Sequence, residues 1–179
     1  RYGLWERLVP EWGHVRGLLP RERSHVNAVD HHLIATVTWC AQMRTSVARP
    51  DLLLLAALYH DIGKGYGRPH AQVGAEMITR QAARMRLSVA DRSRAQTLVA
   101  EHTTLARLAA TMDPASDAAR DALLAAAHYD QLTISLLAVL AEADAQSTGP
   151  GVWTPRVEQA QKLIVARALE ALKPRVLDR

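Results

Sequence analysis

Apolar residues recur along most of this chain three and four positions apart rather than in alternation, the spacing of helices and not of half-buried strands. The evenest run, Leu52 to Leu58, leaves no polar face and predicts a buried helix. Ahead of it, short helices are expected around Trp5 to Val9 and after Glu11. Ser24 is a candidate N-cap for a long helix from about His25 to Ala48. Pro50 would end that helix, because the residue before a proline is pushed out of helical geometry. His25, Val29, His32, Thr36 and Trp39 share one of its faces, and His31 points away from them.

Beyond the central run, Pro69 suits the start of a helix reaching about Leu87, since its missing N–H costs nothing there. Gly74, Met77, Ile78 and Ala82 form its apolar stripe, and His70 falls on the same face. The segment from Ser88 to Asp91 opens a helix with Ala95, Leu98, Val99 and His102 inward. The pattern from Thr103 to Met112 is irregular. Asp117 to His128 is an Ala-rich helix, with His128 in a structural role near its end. Asp130 to Gln146 is strongly apolar and carries Asp144 on the stripe of Leu137 and Leu140. A last helix, Trp153 to Leu172, turns Val157, Leu163, Ile164, Ala168 and Leu172 to the core. The expected class is an all-α bundle without internal repeats.

Composition narrows the picture. A chain of 179 residues suits one domain with a proper core. Hydrophobic residues make up 49%, and the absence of Phe beside abundant Ala and Leu favours helices. The net charge of +4 comes with Arg80, Arg84, Arg86, Arg92 and Arg94, expected to form a solvated helix face. No basic stretch is interleaved with aromatics that could stack bases, so no nucleic-acid partner is expected. The lone cysteine, Cys40, excludes an internal disulfide framework and agrees with a reducing compartment. No apolar run approaches the ~20 residues that cross a bilayer, and there is no secretion signal. No membrane partner and a cytoplasmic location are therefore expected. The chain begins at Arg1, so it is expected to be a fragment of a larger multidomain protein.

Candidate chemistry gathers at the end of the central helix. His60 and Asp61 there carry a desolvation cost that a divalent cation would offset for both at once. Gly63, Gly65 and Gly67 allow a sharp turn, from which Lys64 projects a cation toward a phosphate. Each inward histidine taken singly fits an ordinary hydrogen-bonded core residue. Taken together, His32, His60, Asp61, His70, His102 and Asp144 form a metal-ligand set. A buried Asp144 must be met by an arginine or by a metal. Imidazole and carboxylate donors without thiolate suit one or two divalent ions among Mn, Fe, Mg, Co and Zn. His32, His60, Asp61 and Asp144 would hold one, and His70 and His102 could add a second that shares Asp61. His60, Asp61 and Lys64 are the expected catalytic residues.

The pattern H…HD…D with HDIGKG resembles the HD-domain metal-dependent phosphohydrolases, which implies an HD-type helical bundle. VDHHL, HDIGKGYGRPHAQVGAE, LVAEH and AEADAQSTGPGVW are together similar to one subfamily, over roughly residues 5–165. It is the central domain of bifunctional uridylyltransferase/uridylyl-removing enzymes that modify the nitrogen-signalling protein PII. The resemblance implies hydrolysis of a nucleotidyl group from a PII tyrosine, with an upstream nucleotidyltransferase domain and downstream ACT domains in the full-length protein. The Arg- and Ala-rich composition suggests a high-GC organism, and the group removed would be UMP or AMP. The family usually shows paired histidines where this chain has Glu101-His102, and VDEH where it has Val29-Asp30-His31-His32. Two other expectations fit the same residues: an HD hydrolase of free nucleotides, and a regulatory HD domain that binds metal or nucleotide without turnover.

Overall fold

A computed structural model describes residues 3–22 and 25–174, and among them there are ten α-helices, one 3₁₀ turn and no strand. The all-α expectation holds. The helices are α1 Leu4–Leu8, α2 Trp12–Val15, α3 Val29–Gln42, α4 Pro50–Tyr59, α5 His70–Arg84, α6 Val89–Ala100, α7 Thr104–Thr111, α8 Asp117–Ala126, α9 Gln131–Thr148 and α10 Pro155–Ala171. No single helix among the described residues is long and apolar enough to cross a membrane.

α4 is the central element. Leu52, Leu53, Ala56, Ala57 and Tyr59 are buried and no residue from Leu52 to Ile62 is exposed, as its unbroken apolar run predicts. α3 packs on α4 and α9, α5 packs on α6, and α6 and α9 both touch α4. α10 closes the far side against α7, α8 and α9. The buried residues join into one hydrophobic cluster, so the ends of α3, α4, α5, α6 and α9 are fixed relative to one another.

Several boundaries differ from the sequence pattern. The helix expected over His25 to Ala48 is α3 alone, followed by a 3₁₀ turn at Arg44–Ser46. Pro50 opens α4 at its first turn instead of closing α3, where its missing N–H is harmless. Trp39 is half-exposed, not inward, and Leu163 is exposed on α10. The proposed Ser24 cap lies outside the described residues. The irregular stretch after Thr103 folds as α7, because Leu105 and Leu108, three apart, both reach the core. α8 stops at Ala126, and His128 and Tyr129 follow in the left-handed region (φ 52° and 58°). Arg92 and Arg94 are half-buried instead of solvated: Arg92 donates to the Leu87 carbonyl, and Arg94 pairs with Asp91 and Asp130.

Asp130 shows how one side chain sets a corner. Its carboxylate accepts from the Thr133 N–H at 3.0 Å and the Thr133 hydroxyl at 2.7 Å, capping α9, and takes Arg94 Nε at 3.0 Å. Burial alone would raise its pKa, but Arg94 and Thr133 hold it below the usual carboxylate range. A depressed carboxylate stabilises the fold above its unfolded pKa of ~3.9, and that contribution is lost as pH falls through the folded value. Asp130→Ala is expected to cost about 1–2 kcal/mol near neutral pH, mostly the lost cap with a small part from the half-exposed ion pair. Urea unfolding at pH 7 should show a lower midpoint with an unchanged slope, and the difference from the unaltered chain should shrink toward pH 3.

Candidate metal centre

Five helix ends deliver the polar residues of the interior. α3 brings His32 within its first turn, and the end of α4 brings His60 and Asp61. His70 opens α5, His102 follows α6, and Asp144 lies one turn before the end of α9. Two glycines allow the approach. A Cβ on Gly63 would lie 2.2 Å from the His70 carbonyl oxygen and 2.7 Å from Gly74 N. A Cβ on Gly74 would lie 2.9 Å from Val99 Cγ1 and 3.0 Å from the Tyr59 carbonyl oxygen. The turn after α4 therefore lies directly against α5, and α5 against α6. The hydroxyls of Thr36 and Ser147 hydrogen-bond at 2.6 Å, joining α3 to α9 beside the same centre.

Three imidazoles are oriented by backbone carbonyls. Nδ1 of His60 donates to Ala57 O and Nδ1 of His102 to Val99 O, both at 2.8 Å, and Nδ1 of His32 donates to Ser147 O at 3.3 Å. A carbonyl only accepts, so each Nδ1 carries the hydrogen, and in the neutral ring Nε2 keeps a lone pair. These Nε2 atoms converge. His32 Nε2 and His60 Nε2 are 3.1 Å apart, with Asp144 Oδ1 at 2.9 and 3.4 Å from them. Asp61 Oδ2 is 3.6 Å from His32 Nε2 and 3.7 Å from His60 Nε2. On the other side, Asp61 Oδ1 is 3.3 Å from His70 Nε2 and 3.6 Å from His102 Nε2, which are 3.4 Å from each other.

All six residues expected as ligands are thus brought together, in two groups that use different oxygens of Asp61. Donors ~2.0–2.2 Å from an ion stand about 2.8–3.6 Å apart in octahedral or tetrahedral geometry, and the separations here, from 2.9 to 3.7 Å, lie close to that span. The donor chemistry fits as well. Burial opposes charge on His60 and His32, yet the Asp61 and Asp144 carboxylates outweigh it and push both imidazoles upward. Protons on both Nε2 atoms would clash at 3.1 Å, whereas one divalent cation satisfies two lone pairs and the carboxylates together. Burial would raise Asp61, but His60, His102 and Lys64 hold it well below the usual carboxylate range. His70 moves downward, through burial and the nearby His102 and Lys64.

Among the described residues no arginine pairs with Asp144; His32 and His60 fill that place. Lys64 Nζ lies 2.8 Å from Asp61 Oδ2 and 3.6 Å from Glu22, and its side chain is 11% exposed. Glu101, the departure from paired histidines, accepts from the Thr104 hydroxyl in the turn between α6 and α7. His31 is exposed. The sequence reading gave no role to His25, whose Nε2 is 3.9 Å from Asp61 Oδ2 and whose ring meets that of His32 edge-on. Its seven-residue spacing from His32 was the available signal, although His25 arrives from the segment before α3 rather than on the helix.

This chain belongs to the HD domain family, whose model matches residues 29–148, the span from the start of α3 to the end of α9. Within that class it is similar to bifunctional uridylyltransferase/uridylyl-removing enzymes. The protein of that name from Corynebacterium glutamicum is 57% identical over 172 residues, which is 96% of this chain and 25% of the relative. Those from Mycobacterium tuberculosis and Streptomyces coelicolor are 42% identical over 154 residues and 41% identical over 152. They cover 86% and 85% of this chain, and 19% and 18% of their own length is matched. The chain spans a quarter or less of the length of these curated relatives.

Proposed function

We propose that this chain is a metal-dependent phosphodiesterase that removes a nucleotidyl group, UMP or AMP, from a tyrosine of PII in the cytoplasm, as part of nitrogen regulation. The observation that carries the reading is the convergence of carbonyl-oriented imidazoles and two carboxylates on one buried centre. The choice of a uridylyl-type substrate is supported by the name shared by relatives that match most of the chain. Their greater length supports neighbouring nucleotidyltransferase and ACT domains in the full-length protein.

His32, His60, Asp61 and Asp144 would hold one ion, and His70 and His102, with Asp61 shared, a second. Divalent ions supply a nucleophile near neutral pH and neutralise phosphate charge. Asp61 holds the two groups in register, because each of its oxygens faces one of them. The carbonyls of Ala57 and Val99 keep His60 and His102 in the tautomer that directs Nε2 inward. Lys64 holds its ammonium beside Asp61 and lines the adjoining cleft, where a phosphate oxygen can accept from it as from a point charge. In the hydrolysis a water oxygen bonds to phosphorus and the bond from phosphorus to the tyrosyl oxygen breaks. The phenol oxygen takes a proton, leaving a nucleoside monophosphate and unmodified tyrosine.

The test is incubation of the chain with uridylylated and adenylylated PII and with each candidate ion, following nucleotide loss from the tyrosine by mass spectrometry. No loss with any ion would overturn the reading. Lys64→Ala is expected to keep its metal, since removing the ammonium takes a competing cation off Asp61. It should lower kcat by about 10²-fold, the scale of losing one charge-stabilising donor. A variant that loses its metal would remove Lys64 from the phosphate role.

A further inference from the structure

Between the segment from Leu18 to Glu22 and the turn that follows Lys64 lies a cleft of about 530 Å³. Lys64 and His70 line it, so it leads to the half of the centre built from Asp61, His70 and His102. Its volume is that of a small-molecule site, ~300–1,000 Å³, rather than of a flat protein contact. One wall is apolar at Leu18 and Pro20 and ends at Arg21. The opposite wall runs from Lys64 to His70 and includes Gly67, which has φ 68° and where a Cβ would meet no atom within 4 Å.

Among the described residues that line this space, Arg21, Lys64 and Arg68 bring N–H donors and Glu22 is the acid, while Lys64 and Arg68 also pair with Asp61 and Glu76 outside the lining. Arg68 is also oriented. Its Nη2 and Nη1 donate to the two oxygens of Glu76 on α5, at 2.6 and 3.3 Å. An exposed pair of this kind contributes little to stability. Its consequence is positional: one edge of the guanidinium is engaged by α5, and the planar group is held beside the cleft. A planar guanidinium suits phosphate oxygens, which accept two parallel N–H bonds from it.

We infer that this cleft is a nucleoside 5′-monophosphate subsite. Arg21 and Arg68 draw in the phosphate, Glu76 acts as a positioning residue for Arg68, and the Leu18–Pro20 wall faces the sugar and base. The inference rests on the phosphodiesterase reading for the choice of ligand. The bounded volume and the surplus of N–H donors favour a nucleotide here over a polypeptide.

The test is calorimetric titration of UMP, at low and high salt, into the metal-loaded chain and its variants. Arg21→Gln with Arg68→Gln should weaken UMP by at least about tenfold at low salt, the scale of losing charge-assisted bonds, and should flatten the salt dependence. Glu76→Gln keeps every cation but frees the guanidinium, and should weaken UMP several-fold. These side chains are exposed, so circular dichroism and metal content should match the unaltered chain. A double variant that binds UMP within twofold of the unaltered chain overturns the subsite. The same samples are assayed on nucleotidylated PII. Arginine-dependent UMP binding without cleavage would leave the subsite standing and sink the PII reading. Cleavage with arginine-independent UMP binding would do the reverse.

Discussion

Asp61→Asn is expected to empty both halves of the centre and to lower hydrolysis by more than about 10³-fold, because a metal supplies several kcal/mol of transition-state charge stabilisation. The carboxylate is buried, with one oxygen 3.6 and 3.7 Å from His32 and His60 and the other 3.3 and 3.6 Å from His70 and His102. Asparagine keeps the shape but removes the shared negative charge, and it turns an N–H₂ toward one of the imidazole pairs. Asp144→Asn is the informative companion. Of the four histidines in the two groups, Asp144 meets His32 and His60 and not His70 or His102, so that variant should lose one ion and retain the other. Elemental analysis per folded molecule separates the two, and thermal melts with and without chelator show whether the lost stability was metal-linked. An Asp144→Asn protein that is destabilised yet fully metallated would remove Asp144 from the ligand set. An Asp61→Asn protein with full metal content would dismantle the shared-carboxylate arrangement.

Gly63→Ala is expected to destabilise the fold by about 3 kcal/mol or more, the upper end for overpacking, and to reduce metal occupancy with it. The added Cβ would lie 2.2 Å from the His70 carbonyl oxygen and 2.7 Å from Gly74 N, both backbone atoms that no rotamer change can move. Relief requires the turn to separate from α5, which draws His70 away from Asp61. Gly67→Ala provides the contrast. It meets no neighbour within 4 Å and carries only the strain of a left-handed residue, ~1–2 kcal/mol. Urea unfolding of both proteins, with metal counted, checks the order. Equal stability for Gly63→Ala and the unaltered chain would contradict the contact between the turn and α5.

The elements closest to this site were largely legible in the sequence. Unbroken apolarity from Leu52 to Leu58 marked the buried helix, and the stripes of α5, α6 and α9 put His70, His102 and Asp144 on inward faces. Helical periodicity is a local property, so it assigns a face from a few neighbours. It fails where packing overrides propensity. The long helix expected up to Ala48 ends at Gln42, Trp39 and Leu163 lie nearer solvent than their stripes suggest, and the irregular pattern from Thr103 to Met112 contains α7.

What each inward residue meets was decided only by tertiary structure. The sequence left Asp144 between an arginine and a metal; the packing of α9 on α3 and α4 gives it two imidazoles, from residues 84 and 112 positions earlier in the chain (144 − 60 and 144 − 32). The division of Asp61 into two oxygens serving two histidine pairs depends on how closely the turn at Gly63 meets α5. The approach of His25 to Asp61, the ammonium of Lys64 on that same carboxylate and the Arg68–Glu76 fork beside the cleft likewise have no local signature. Residue type and helical face set which groups must be compensated in the interior. The choice of partner belongs to contacts between helices distant in sequence, where donor positions are set by backbone approach and not by spacing along the chain.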